Sequence, residues 1–409
     1  MEVIHPKCAG LDVHQKTVVG SVRLAVKKKV EHKVRTFGTT TSELLAMSDW
    51  LASHGCTHVA MESTGIYWKP VWHVLEGTFE LVLANAMHIR NIPGRKSDVN
   101  DATWISDLLA HGLIRSSFVP PTQIQELRDL TRSRKQFVRE VAQHIQRVQK
   151  VLEDANVKLT EILSNVMGKS GRAIIEAIIA GEQDPKVLAS LACGNRLKAT
   201  QEEFVEALRG RVTPHHRFLL KLHLGQIDAL ESAVRELEVR VGDALLPFRE
   251  SAELLTTIPG VSDTVARVII AEIGLDMDRF PTSGHLISWA GLCPGMNESA
   301  GKRFSSRIRA GAPWLKATLV QAVWPAIRTK GSYLRAQFHR LKSRRGPKKA
   351  IIAVAASMLT AVYHMLKNHV PYRDLGGDYF DRQDKAKVAK RLIKKLNDLG
   401  LRVEVCPAA

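Results

Sequence analysis

Four carboxylates near the start of the chain set the chemical question. Asp12 sits in Cys8-Ala-Gly-Leu-Asp-Val-His-Gln-Lys-Thr17, Glu62 in Val59-Ala-Met-Glu-Ser-Thr-Gly65, and Asp98 with Asp101 in Lys96-Ser-Asp-Val-Asn-Asp-Ala102. Asp12 and Glu62 each close a short apolar run of the kind that forms a buried strand. Asp98 and Asp101 lie three apart in a stretch that reads as a helix, which puts them on one face. Gathered acids repel one another, and burying them is costly unless positive charge sits among them. A hard divalent cation, Mg²⁺ or Mn²⁺, is the natural counter-charge for an all-oxygen set. Such a set outlines a two-metal phosphoryl-transfer site. Spacing alone also admits a plainer reading, in which these acids are turn residues and helix caps.

A second chemical centre is basic. From Ser299 to Lys349 the chain has fourteen Lys or Arg and no Asp or Glu. That is the strongest charge asymmetry in the sequence and suits a nucleic-acid backbone. Within it, Ser299-Ala-Gly-Lys302 sets a hydroxyl beside a flexible glycine and an ammonium group. A serine attacks phosphorus only if something takes its proton and positive charge holds the transition state. Lys302 and Arg303 offer that charge, and Arg307 and Arg309 extend it. Read alone, Ser299 fits a turn or a phosphate contact better than a nucleophile; Ser305 and Ser306 are further hydroxyls nearby.

The elements that must position these residues follow from periodicity. Strands are expected over Cys8–Val13 and Val18–Ala25, a basic turn at Lys27 to Lys29, and a third strand through Val34. A helix from Thr41 to His54 precedes a strand, Thr57–Met61, that delivers Glu62. A helix to Leu75 with Pro70 in its first turn, and a strand over Phe79–Ala84, complete the pattern. Three antiparallel strands and then strand–helix alternation read as an α/β sheet. Arg90, Arg95 and Lys96 flank the acids and suit either phosphate or solvent. His14 reads as structural, and Tyr67, Trp68 and Trp72 have the helical spacing of core residues.

After Pro120-Pro121 a heptad seam runs from Ile124 to Leu159, with a basic stripe of Arg128, Arg132, Lys135, Arg139, Arg147 and Lys150 on other faces. A second heptad run spans Leu220 to Ala244, and a helical insert lies between the two. The pair implies either an antiparallel hairpin or an intermolecular bundle. Leu254 to Gly274 has helix, Ile-Pro-Gly-Val turn and helix, a helix-hairpin-helix pattern whose Gly260 turn would offer backbone N–H groups to a phosphate. The run from Ala350 to Leu366 reads as a core helix, and the tail from Asp381 to Val405 as basic with a terminal strand.

At 409 residues and 45% apolar content the chain is long enough for several packed domains. A formal net charge of +18 points to a polyanionic partner, nucleic acid before an acidic membrane surface. Five scattered cysteines with no CxxC pair argue against a zinc site or a disulfide framework, and fit a reducing cytoplasm. No secretory signal is evident.

Gly10 to Thr17, Glu62 to Gly65 and Lys96 to Ala102 resemble the DEDD-type transposases of the insertion sequence 110 family. Ala290-Gly-Leu-Cys-Pro-Gly295, Ser299 to Lys302 and Arg307-Ile-Arg-Ala-Gly-Ala-Pro-Trp-Leu-Lys316 resemble that family's C-terminal transposase domain, whose motif usually reads Ser-Gly-Gly-Lys. The resemblance implies a RuvC-like, ribonuclease-H-type fold in which Asp12, Glu62, Asp98 and Asp101 bind the metal, and it makes Ser299 the DNA nucleophile. It further implies a recombinase guided by a structured RNA, acting on donor and target DNA as a dimer or tetramer, in the bacterial cytoplasm at the nucleoid. The expected architecture is α/β plus α: a RuvC-like domain over 1–120, a coiled-coil region with helical insert over 121–246, a C-terminal transposase domain over 247–345, and a helix and basic tail over 346–409. The competing expectation is a RuvC-like, structure-selective endonuclease that uses water and needs no serine.

Overall fold

The computed structural model describes residues 3–26, 29–63, 65–90, 92, 100–192, 199–295, 297–300, 302–305, 307–309, 311–383 and 385–400. Asp98, Arg95, Lys96 and Ser306 therefore lie outside the described residues, and Arg90, Ser299 and Arg303 are described in their backbone alone. The chain divides into two compact units, Met1–Val119 and Pro120–Ala409.

In the first unit β1 (Lys7–Val13), β2 (Thr17–Val26) and β3 (Lys29–Gly38) form an antiparallel meander. After α1 (Thr41–Ser53), β4 (His58–Glu62) joins β1 in parallel; after α2 (Trp68–Leu75), β5 (Glu80–Ala84) joins β4 in parallel. The sheet order is β3-β2-β1-β4-β5, the mixed sheet that the sequence pattern implies. Two short helices follow, α3 (Ala86–Arg90) and α4 (Asp101–Ala110). Alternation along the strands sorts the two faces. Ala9, Leu11, Val13, Val59 and Met61 pack with α1 and α2 residues such as Leu44, Met47 and Leu75. Cys8, Ala60 and Ala84 pack with Ile105, Leu108 and Leu109 of α4. Trp72 is buried and meets Trp68 edge-on, so these rings are core packing, whereas Tyr67 is exposed.

The second unit is helical: α5 (Thr122–Asp154), α6 (Leu159–Ile162), α7 (Lys169–Ala180), α8 (Pro185–Ser190), α9 (Gln201–Ala207), α10 (Pro214–Leu245), α11 (Arg249–Thr256), α12 (Asp263–Ile273) and α13 (Ser283–Trp289). The small strands β6 (Asn297–Ser299) and β7 (Lys302–Ser305) come next, then α14 (Pro313–Ala326), α15 (Tyr333–Arg345), α16 (Pro347–Asn368), α17 (Tyr379–Gln383) and α18 (Lys385–Asp398). The tail is thus helical as far as Asp398, and the strand expected near Val405 falls outside the described residues.

The two heptad runs pair with each other inside the chain, antiparallel. Ile124 and Leu127 of α5 share a cluster with Val241 and Leu245 of α10. At the opposite end Val148 and Leu152 share another with Leu220, Leu224 and Ile227. The seam is not continuous: α5 stops at Asp154, and Val138 in its middle is 44% exposed. The insert α6–α9 builds its own core on one end of this pair, around Ile174, Ile178, Leu188 and Phe204. The other end carries a larger core centred on α16, whose Val354, Ala355, Met358 and Leu359 are fully buried. That burial accounts for the helix's apolar composition.

Two members of the basic stripe on α5 correct the sequence reading. Arg128 donates from Nε and Nη2 to the carbonyls of Ala271 and Glu272, at the last turn of α12. Arg132 forms a two-pronged pair with the Glu272 carboxylate, both bonds at 2.8 Å, and that carboxylate is 1% exposed. A buried acid needs such a partner, and a helix C-terminus favours a cation. These two arginines tie helices together and are not a solvated track for a phosphate backbone.

Candidate active site

The acid side of the site is set by how α4 lies on the sheet. Ile4 and His5 donate to the Ala110 carbonyl, the Cys8 thiol lies 3.5 Å from the Ser106 carbonyl, and Thr103 donates to Ser21. A Cβ built on Gly10 would fall 2.2 Å from the Ala102 oxygen and 2.4 Å from the Ser106 nitrogen. So α4 runs antiparallel to β1 and closes to backbone contact at Gly10, which only glycine permits. Gly10 and Asp12 share the α4 face of β1, and Ala60 and Glu62 share that face of β4. The parallel register pairs Leu11 with Met61, setting Asp12 beside Glu62 at the strand ends. Asp101 opens α4 at that same end.

Asn100 caps α4 by accepting from the Ala102 N–H, so the helix starts at Asp101; the expected sharing of a face with Asp98 falls outside the described residues. The Asn-Asp pair ahead of an apolar run was the signal for that start. Asp12 is 20% exposed and accepts from His14 Nε2 at 3.1 Å. The sequence reads His14 as structural, yet with one residue between it and Asp12 its ring comes onto the carboxylate. Among the described residues no three His, Cys, Asp or Glu side chains gather closely enough to hold a metal ion. The carboxylate chemistry of Asp12, Glu62 and Asp101 is of the kind that suits a hard cation, and β1, β4 and α4 deliver these three acids to one edge of the sheet.

The serine side is a β-ribbon in the second unit. Ser299 pairs with Lys302 and Glu298 with Arg303 across β6 and β7, with an irregularity at Asn297. The ribbon continues below: Gly295 donates to Arg307, Arg309 donates to Cys293, and Pro294 bridges Ile308. Ser299 therefore stands next to a two-residue turn. Its first residue, Ala300, has φ +49, the left-handed conformation that such tight turns require and that glycine adopts without strain. Lys302, Arg307 and Arg309 are exposed, and Arg309 also donates to the Ser288 hydroxyl. Their charge is available to a polyanion along one ribbon.

The turn between α11 and α12 has a packing explanation of its own. Gly260 has φ +86, and a Cβ there would lie 2.3 Å from the Ala322 oxygen of α14. The glycine is needed to seat the turn against a neighbouring helix. Ser262 caps α12 by accepting from the Val265 N–H.

Two family models match the chain. One, of DEDD type for IS110 and described as Transposase, covers residues 9–157; the other, described as Transposase IS116/IS110/IS902 family, covers residues 252–339. An uncharacterised 43.6 kDa protein of insertion element IS110 from Streptomyces coelicolor is 29% identical over 153 residues, 36% of each chain. A mini-circle protein of the same organism, whose name assigns it as the transposase for IS117, is 37% identical over 106 residues, 24% of this chain and 25% of that one. The chain thus spans about a third of one relative and a quarter of the other. The first model takes in Asp12, Glu62, Asp98 and Asp101, and the second takes in Ser299.

Proposed function

Because the chain belongs to the IS116/IS110/IS902 family of transposases, we propose that it is a DNA transposase and recombinase. It cuts and rejoins strands by attack of Ser299 on a phosphodiester. The observation that carries this reading is the meeting of β1, β4 and α4, which brings Asp12, Glu62 and Asp101 to one edge of the sheet. With Asp98 these acids would hold Mg²⁺ or Mn²⁺, which supplies Lewis-acid stabilisation of phosphoryl charge when bound.

The Ser299 hydroxyl loses its proton, its oxygen bonds to phosphorus, and the displaced deoxyribose oxygen leaves with a proton. The chain is then linked to one DNA end through a phosphoserine. Reversal of this step with a different DNA hydroxyl reseals the backbone without ATP, since the link conserves the bond energy. Lys302 and Arg303 stabilise the charge that builds on the phosphoryl oxygens, and Arg307 and Arg309 hold the adjacent backbone. Arg90, Arg95 and Lys96 serve the same end beside the acids. The α11–α12 pair, read as a helix-hairpin-helix, steadies duplex DNA at the Gly260 turn, and the α5–α10 pair acts as a coiled-coil arm.

The family resemblance and the basic ribbon further support a structured guide RNA, donor and target DNA as substrates, a dimer or tetramer as the acting form, and action at the bacterial nucleoid. In this reading the domains are 1–120, 121–246, 247–345 and 346–409.

The test is a covalent adduct. The protein is incubated with its element ends, the element's RNA and Mg²⁺, then denatured and examined for DNA that migrates with protein. Wild type should give the adduct, and Ser299→Ala and Asp12→Ala should give none. A Ser299→Ala protein that cuts at the wild-type rate would instead establish the water-dependent endonuclease.

A further inference from the structure

A second polar feature of the helical unit involves neither the acids nor the ribbon serine. Between α5, α10, α12 and α14 is a cleft of about 290 Å³ whose wall carries Arg134, Lys135, Arg139 and Arg267 against a single carboxylate, Glu238. That carboxylate is already paired with Arg134. Lys135 donates to the buried Thr318 hydroxyl at 3.2 Å. Arg139 rests over the Trp314 ring, 5.3 Å from its centroid, and Lys135 lies 5.8 Å from the same centroid. Arg267 makes no hydrogen bond or ion pair with any described residue, and its Nε is buried without a partner. Glu272, whose charge also reaches Lys135, is already bound by Arg128 and Arg132.

Among the described residues, Lys135, Arg139 and Arg267 therefore have no carboxylate paired with them in this partly enclosed space. Burial, and then the charge of Arg139, hold the Lys135 ammonium below its ordinary pKa, with Glu272 opposing them. An aromatic face softens such a cluster but does not neutralise it. What completes it is a compact, multiply charged oxyanion: guanidinium forks meet two oxygens at once, while an ammonium group acts as a point charge. We propose that this cleft is a phosphate-binding site that seats one phosphate group among Lys135, Arg139 and Arg267. The phosphate belongs to a nucleic-acid backbone or is free in solution; the site's chemistry is the same for both. Nothing in it depends on Ser299 or the acids, so it stands or falls separately from the strand-transfer reading.

The first measurement is the thermal midpoint of the full chain in inorganic phosphate against chloride of equal ionic strength. Wild type should rise by roughly 2–5 °C for each tenfold of phosphate above the dissociation constant. Lys135→Met and Arg267→Gln should lose that response. In chloride, Lys135→Met should melt no lower than wild type, because it removes a repulsion, so loss of response cannot be laid to misfolding. Arg249→Gln, at an exposed pair with Glu253, should respond as wild type does. No phosphate-specific rise in wild type, or an equal rise in both cleft variants, overturns the proposal.

A second arm separates the two sources by titrating a labelled oligonucleotide at several salt concentrations. If the occupant is a backbone phosphate, Arg267→Gln lowers the slope of log K against log salt by about 1. An unchanged slope alongside a lost phosphate response assigns the cleft to free phosphate.

Discussion

Asp12 and Glu62 ride on strands paired on both sides, under a helix that closes to backbone contact at Gly10. Ser299 rides on a two-stranded ribbon, one residue from a turn that strains an alanine. The two regions solve different mechanical problems. Acids that share a cation must keep their spacing to within a fraction of an ångström, so they belong on interior strands. A hydroxyl that is to become bonded to a DNA end gains from an element with few neighbours, which opens at low cost. Under the proposed serine mechanism, rigid donors and a loosely held nucleophile are the expected division.

The largest effect that would break this contrast is on chemistry. Glu62→Gln keeps the side chain's shape and removes its charge, and strand cleavage on a denaturing gel should fall by about 10³-fold or more. A drop under tenfold would mean that β4 delivers no functional acid.

Next comes the scaffold. Gly10→Ala drives a methyl group into the α4 backbone, and denaturant unfolding should show a loss of about 3 kcal/mol. Equal stability would remove the argument that α4 is locked over the acid edge.

A third comparison uses cysteines as reporters. Cys8 lies at the base of β1 with no exposure, and burial pushes its thiol up to about 12; Cys56, also buried, is pushed up to about 11. Cys293, at the foot of the ribbon, is partly exposed. In a Cys193→Ser, Cys406→Ser background, alkylation at neutral pH should label Cys293 well before the other two. The pH dependence follows in sign. Unfolded thiols ionise near 9.0 while the folded ones stay protonated, so their contribution is whole below pH 9 and drains as pH climbs towards 11 and 12. Cys8→Ala should flatten that alkaline decline in the denaturant midpoint.

The smallest effect sharpens the ribbon. Ala300→Gly relieves the left-handed turn, at the cost of a freer unfolded chain, and should gain about 0.5 kcal/mol locally. Slower hydrogen exchange at the Lys302 amide is the readout, and an unchanged rate would deny that the turn is strained.

How much of this was legible in the sequence depended on whether the signal was local. The strands that present Asp12 and Glu62 are apolar runs bounded by turns, and they could be placed within a residue or two. The serine motif stood out because no acid follows it as far as Lys349. What stayed hidden was tertiary. Arg128 and Arg132 look like surface charges until Glu272, far along the chain, arrives beneath them. Val138 keeps heptad spacing yet is 44% exposed, because it lines the cleft between α5 and its neighbouring helices. The start of α4 is decided by the cap at Asn100, a local signal in the Asn-Asp pair ahead of an apolar run.

The antiparallel pairing of α5 and α10 has a consequence for reach. A helix of 33 residues is a rod of about 50 Å at 1.5 Å per residue. Its two ends anchor separate cores, so the rod works as a ruler between them. Removing one heptad from each helix at matched positions would shorten that span by about 10 Å while leaving both anchorages in register.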